Sequence, residues 1–366
     1  MRILVTVPWA RRLGGSEDML QTALRGAAAA GHELEPVFLE GGPWAGELAR
    51  EGFRVQVIEA GRVRQAHRML ATIVRLAGVM RARQPDLILN WLPKMHLYGA
   101  PAAALVGMGD RLVWWQHGMP RTEWVDRCAT KLPVIAVGCS SGASARAQAQ
   151  LRPARPTFVV APGTRVPDGH ANGSPLQLPR EVPAVGLVGR LQPWKGQDRL
   201  LQAQALLRAR GHEIHTVIVG GDAHELSPEY ASSLPAQVAR LGLDDAVTMT
   251  GQVPDAGPYI DQLDVLVNAS DGEPFGIVLL EAMARGIPVV AVDSGAPAEF
   301  IEDGRTGVLA RSGEPDALAD AIEPLLSSPD LRRRIGEAGR ERFLRDYTDV
   351  AMCRRFYNEL ERLVHA

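Results

Sequence analysis

Apolar residues along the chain come in short runs, separated by lengths that hold a helix. The first run, ILVTVP (3–8), is followed by a Gly-Gly loop and a helical stretch from about Ser16 to Ala30, with Ser16 as the expected N-cap. That is a βα unit. Further apolar runs recur at 34–39, 54–58, 86–90, 111–115, 134–138 and 157–161. Strands spaced by crossover helices predict a parallel, doubly wound sheet.

Between Pro167 and Pro183 the periodicity stops and Pro, Gly, Asn and Asp accumulate, as in an interdomain linker. A second strand series follows at 184–189, 215–220, 246–251, 264–270 and 287–292, predicting a second Rossmann-like sheet. From about Asp316 the pattern is helical, and the last amphipathic stretch, 349–364, has no strand left to serve. The expected division is a first α/β domain at 1–166, a linker at 167–182, a second α/β domain at 183–345, and a helix at 346–366 that crosses back to the first domain.

A chain of 366 residues exceeds one typical core and suits two such domains. Its 22% charged and 46% hydrophobic residues exclude a disordered chain. The three cysteines, Cys128, Cys139 and Cys353, lack paired spacing, so neither a disulfide framework nor a CxxC metal site is available. A reducing, cytoplasmic setting is expected, because the opening MRILVTVPWARR is too short in apolar residues for a signal peptide and 97–109 is too short to span a bilayer.

The net charge of −2 conceals an asymmetry. Residues before Val166 carry 21 basic and 12 acidic side chains, and the remainder carries 19 and 30. A basic half attracts acidic ligands or anionic lipid. Much of the excess lies in 61–84, which holds Arg62, Arg64, Arg68, Arg75, Arg81 and Arg83 and no acid, with Ala66, Leu70, Ile73, Ala77 and Met80 at helical spacing. This basic amphipathic helix is either a solvated face docked on the sheet or a contact with an anionic membrane surface, at the inner membrane face, or with a lipid-phosphate acceptor.

Two common chemistries are excluded. No GxGxxG follows the first strand of either series, and Lys195 is not part of GxxxxGK[ST], so NAD and P-loop functions are not expected. After DVLVNAS, however, comes DGEPFGIVLLEAMARGIPVVAV, a loop that opens a helix and returns to a strand. Glu273 therefore lies at the carboxyl end of a strand and at a helix N-terminus, where unpaired N–H groups favour a phosphate. Glu281 lies farther along the same helix, within reach of ribose hydroxyls.

On this segment the chain closely resembles the GT-B-fold retaining glycosyltransferases of family four (group 1), marked by two glutamates with seven residues between them, an EPFG-like start and an LLEAMA-like helix. The resemblance implies two Rossmann-like domains facing across a cleft. It also implies that Glu273 contacts the donor sugar's hydroxyls, that the N–H groups of Phe275, Gly276 and Ile277 face sugar and phosphates, and that Glu281 holds the ribose. GLVGRLQPWKGQ keeps the family's GR followed by KG, which makes Arg190 and Lys195 candidates for a diphosphate clamp. Gly14 and Gly15 resemble its glycine loop, although a glycine pair can also simply make a turn.

His117 ends a predicted strand where relatives place a histidine facing the donor sugar, whereas Trp114 and Trp115 read as core. Asn90-Trp91 departs from the family pattern and leaves the acceptor contacts open. Gly220, Gln252 and Val253 surround the expected base and sugar. No DxD pair sits in a donor loop, so the implied transfer needs no metal and no cofactor beyond the donor, a UDP- or GDP-linked sugar. The acceptor is a hydroxyl compound, lipid-linked, anionic or small, and no nucleic acid is involved. A sugar-nucleotide epimerase and a non-catalytic sugar-nucleotide-binding subunit are the competing readings.

Overall fold

Seven parallel strands form the first sheet: β1 (Arg2–Val7), β2 (Glu33–Phe38), β3 (Gln56–Val57), β4 (Leu87–Trp91), β5 (Leu112–Gln116), β6 (Ala136–Cys139) and β7 (Thr157–Val159). The computed structural model describes residues 1–12, 14–60, 65–120, 123–169, 175–179, 181–222 and 226–365. Strand order is β3-β2-β1-β4-β5-β6-β7, so the winding direction reverses between β1 and β4. Helices α1 (Gly15–Gly26), α2 (Pro43–Arg50), α3 (Ala66–Arg83), α4 (Pro93–Leu105), α5 (Trp124–Lys131) and α6 (Gly142–Gln150) connect the strands. Ile3, Leu4, Val5 and Val7 are all buried, as a strand covered on both faces requires.

The second sheet has six parallel strands: β8 (Ala184–Val188), β9 (His215–Val219), β10 (Val247–Met249), β11 (Val265–Asn268), β12 (Val289–Val292) and β13 (Val308–Ala310). Their order, β10-β9-β8-β11-β12-β13, repeats the first pattern, with its reversal between β8 and β11. The helices are α7 (Gln197–Ala209), α8 (Pro228–Arg240), α9 (Gly257–Ile260), α10 (Ile277–Ala284), α11 (Pro297–Phe300), α12 (Pro315–Ser327) and α13 (Pro329–Asp346). One core packs Leu200, Leu318 and Ile322 against Val185 and Val267, and another packs Leu201, Leu234 and Leu243 against Ile218.

The final helix, α14 (Asp349–Val364), belongs to the first unit, which comprises 1–162 and 349–366; the second comprises 163–348. Met352, Phe356, Tyr357 and Leu360 join Met19, Leu20, Leu24, Val113 and Trp115 in one core cluster. On the opposite face of that sheet, Leu76, Met80, Met95 and Tyr98 from α3 and α4 form a second cluster with Leu4 and Ile88. Residues 167–182 group with the second unit, where Leu176 exchanges two 3.0 Å hydrogen bonds with Gln262; residues 170–174 and 180 lie outside the described ones.

Several local expectations change. Gly14, not Ser16, is the N-cap of α1: its carbonyl accepts from the N–H groups of Glu17 and Asp18, and Ser16 lies in the first turn. The strand expected at 54–58 shrinks to two residues, and β13 was not anticipated. The basic helix begins at Ala66, residues 61–64 lying outside the described ones, and Leu70 points outward rather than into the core. The inward stripe runs through Ile73, Leu76, Ala77 and Met80. Among the described residues, no helix is long and apolar enough to cross a membrane.

Candidate functional site

The second sheet places the loops after β8 and β11 side by side at its strand-order reversal, where open α/β sheets bind ligands. The two loops are locked together through their backbones. Gly196 adopts a left-handed φ of 75°, and a Cβ there would lie 2.6 Å from the carbonyl oxygen of Ala269. Arg199, in the first turn of α7, donates from Nη2 to that same carbonyl at 2.6 Å and to the carbonyl of Trp194 at 3.3 Å. The Asp271 N–H donates to the Trp194 carbonyl at 3.0 Å.

Across this junction Lys195 Nζ donates to Glu273 Oε2 at 2.7 Å, and Asn268 Nδ2 donates to the same oxygen at 3.1 Å. Glu273 is only 5% exposed. Burial pushes its pKa up, but the Lys195 charge, with hydrogen bonds from Lys195, Ser270 and Asn268, outweighs burial and holds the carboxyl below its ordinary value. From behind, Ala296 N–H donates to the Glu273 carbonyl at 2.9 Å. Gly295, at φ 88°, permits that approach, since a Cβ there would meet the same oxygen at 2.3 Å.

Phe275 is buried and stacks on Phe300 with ring centroids 5.0 Å apart, so its side chain anchors the loop while its backbone stays at the helix entrance. Gly276, at φ 90°, caps α10 and turns the chain into it. The first N–H groups of α10, beginning with Ile277, have no carbonyl of their own helix to pair with. Glu281 lies one turn farther along and is half-buried.

Arg190 is half-buried. Its carbonyl accepts from Gln197 Nε2 at 2.8 Å, while its guanidinium has no protein partner among the described residues. The structure thus pairs Lys195 with Glu273 and leaves Arg190 as the uncommitted cation of the expected clamp. Beside it, Gly220 lets the ends of β8 and β9 touch, since a Cβ there would lie 2.1 Å from the Gly189 carbonyl oxygen. Gly220 also bridges Gly251, two residues before the half-buried Val253.

The first unit gathers its candidates at the carboxyl edge of its own sheet. Gly14 has extended backbone, and a Cβ there would meet no protein atom within 4 Å, so packing does not require glycine. His117 directly follows β5, with its ring 4.3 Å from that of Trp91. Its Nε2 is shielded and has no hydrogen-bond partner among the described residues, and burial pushes the imidazole down to about 3, leaving it neutral at neutral pH. Trp91 Nε1 donates to the Ser16 carbonyl at 3.2 Å, joining His117 to the entrance of α1.

The Asn90-Trp91 departure is an interior feature. Asn90 accepts from Thr6 Oγ1 at 2.7 Å and bonds His96 at 3.1 Å, and Trp91, Trp114 and Trp115 are fully buried. Sequence reasoning missed Asn268, Ser270, Gly295 and Trp194. It also missed Glu17, a buried acid that accepts from Trp9 Nε1 at 3.2 Å and whose pKa burial raises. A polar residue closing an apolar strand, as in VLVN, is the one signal that pointed to Asn268.

Two family profiles match the chain: "Glycosyltransferase Family 4" over residues 13–164 and "Glycosyl transferases group 1" over 174–342. Over 153 residues the chain is 37% identical to the lipopolysaccharide core biosynthesis mannosyltransferase LpcC of Rhizobium leguminosarum bv. viciae, covering 42% of this chain and 43% of that protein. Over 187 residues it is 36% identical to the D-inositol 3-phosphate glycosyltransferase of Nocardia farcinica (strain IFM 10152), covering 49% and 41%. The match thus spans less than half the length of these curated relatives. Among solved structures, Anabaena Alr3699/HepE in complex with UDP and glucose superposes with a TM-score of 0.84 at 23% identity, covering 99% of both chains. The glycosyltransferase from Rickettsia africae ESF-5 gives 0.85 at 20% identity, covering 99% and 98%. These likenesses establish the GT-B fold.

Proposed function

The chain belongs to the glycosyl transferases group 1 family, and from that premise we propose that it moves a hexosyl-type sugar from a nucleoside diphosphate sugar to a hydroxyl acceptor. The observation that carries this reading is the Lys195–Glu273 pair at the strand-order reversal, beside the entrance of α10. The Lys195 ammonium and the first N–H groups of α10 lie at that point, which suits a diphosphate.

In this reading Arg190 and Lys195 stabilise the charge that grows on the leaving diphosphate, in place of a metal. The N–H groups of Phe275, Gly276 and Ile277 bind phosphate and sugar oxygens, Glu273 meets sugar hydroxyls, and Glu281 accepts from the ribose diol. Val253, with the glycine-lined backbone around Gly220, contacts the base. On the first unit, Gly14 and Gly15 allow a substrate close to the backbone, and the neutral imidazole of His117 hydrogen-bonds a sugar hydroxyl without adding charge.

The reaction retains configuration. The acceptor oxygen bonds to the anomeric carbon on the face from which the phosphate departs, the bond from that carbon to the phosphate oxygen breaks, and that oxygen takes the acceptor's proton. The UDP and glucose held by HepE support a nucleoside diphosphate hexose as donor here. The names of the relatives run from lipopolysaccharide core biosynthesis to D-inositol 3-phosphate, which supports an anionic or lipid-linked acceptor. Contact with an anionic membrane through α3 is part of the same proposal, supported by Leu70 and Val74, each 63% exposed beside Arg68, Arg75 and Arg81. The family leaves the epimerase reading without support.

A thermal-shift screen against UDP-, GDP-, ADP- and dTDP-sugars tests the donor site and separates binding from its absence. A ligand at a hundred times its Kd stabilises by about 2.7 kcal/mol, so one of the four is expected to raise Tm by several degrees. Glu281→Ala weakens that response. Silence toward all four overturns the proposal. Release of free nucleoside diphosphate on adding acceptor then distinguishes an enzyme from a binding subunit.

A further inference from the structure

Trp194 and Lys195 are consecutive residues of a short 3₁₀ turn, Pro193–Lys195, yet their side chains converge: Lys195 Nζ lies 4.1 Å from the centroid of the Trp194 ring. Everything around Trp194 holds it in that place. Its Nε1 donates to Gln192 Oε1 at 2.9 Å, and its carbonyl accepts from the Asp271 N–H and from Arg199. Pro193 fixes φ at the start of the turn, and left-handed Gly196 ends it. The indole is therefore a fixed wall against which the ammonium rests.

Lys195 has four rotatable side-chain bonds and would otherwise lose that freedom only when a ligand arrives. Here Glu273 takes one N–H at 2.7 Å and the Trp194 face covers another side. An aromatic face attracts an ammonium electrostatically and takes the place of water against it. Among the described residues the ammonium has no hydrogen-bond partner besides Glu273, so its position is already set and part of its hydration already removed.

We propose that Trp194 is a positioning residue that acts through Lys195, fixing the ammonium for the diphosphate of donor and product. This rests on the donor-site reading above and adds to it a residue whose effect passes through the cation. Donor binding energy is then spent on contact rather than on ordering the lysine.

The test is a double-mutant cycle on the affinity for UDP and for GDP, measured by calorimetry on wild type, Trp194→Ala, Trp194→Phe, Lys195→Ala and the Trp194→Ala/Lys195→Ala double variant. Trp194→Ala is expected to weaken binding of the nucleotide that the wild type binds by roughly three- to thirtyfold, with Trp194→Phe recovering most of it. In the Lys195→Ala background the same change is expected to cost less than about twofold, because the group it positions is gone. Equal losses in both backgrounds overturn the positioning role and leave the donor-site reading standing. Wild type that binds neither of these nucleotides, nor ADP or dTDP, removes that reading, and this inference with it. If the Ala variant fails to fold, Trp194→Leu, which keeps bulk but removes the ring face, carries the same cycle with and without Lys195→Ala, and the same outcomes decide.

Discussion

Glycines 295 and 14 bracket the two reasons for a glycine in this chain. At Gly295 the backbone is left-handed and a Cβ would lie 2.3 Å from the Glu273 carbonyl oxygen. Gly295→Ala is therefore expected to cost about 1–3 kcal/mol in chemical denaturation and to displace Glu273. At Gly14 the backbone is extended and nothing stands within 4 Å, so Gly14→Ala leaves stability within about 0.5 kcal/mol. A stability loss at 14 as large as at 295 contradicts this contrast. The glutamates, Lys195 and the EPFG turn were legible because a motif is spacing along the chain. The Lys195–Glu273 bond joins residues 78 apart, through a sheet order that spacing does not encode. For the same reason Gly295 and Trp194, whose roles arise from neighbouring loops, went unread.

Both sheets were visible among the elements as apolar runs, and α14 (Asp349–Val364) as an amphipathic stretch within the helix expected at 346–366, because strands buried on both faces and amphipathic helices leave strong periodic traces. The traces are less exact for short strands: β3, expected at 54–58, has two residues, and the three-residue β13 was not anticipated. In α3 the failure is different. Met69 and Leu70 are both apolar, so the pattern alone does not choose which faces inward, and packing selects Met69. That choice leaves Leu70 and Val74 on the arginine-bearing side, one turn apart. Each cation near an anionic surface contributes about 1 kcal/mol. Co-sedimentation with phosphatidylglycerol vesicles but not with pure phosphatidylcholine vesicles is expected, reduced several-fold by Leu70→Ser/Val74→Ser. Binding that ignores lipid charge, or survives that double change, rules the contact out.

Within the first unit His96 is buried, and His117 is half-buried with its Nε2 shielded. His96 and His117 are both pushed down to about 3 by burial, against an ordinary value of 6.5. Between those values the unfolded chain binds protons that the folded chain refuses, so acid favours unfolding. Stability is full above pH 6.5 and declines as pH falls toward 3. The Tm of the first unit's transition is expected to drop between pH 7 and pH 5, with a shallower slope in His96→Gln. A flat profile, or an unchanged slope in that variant, counts against buried neutral imidazoles.

The first unit is interrupted at Pro162 and resumes only at Asp349. Its core cluster includes Met352, Phe356, Tyr357 and Leu360, which a ribosome adds only after the whole of the second unit. The uninterrupted second unit can therefore reach its native state during translation while the first still exposes Trp115, Met19 and Leu24. The order of synthesis and the order of completion run opposite ways. A nascent chain halted before Asp349 presents that incompletely covered apolar cluster to chaperones, and emergence of α14 ends that dependence.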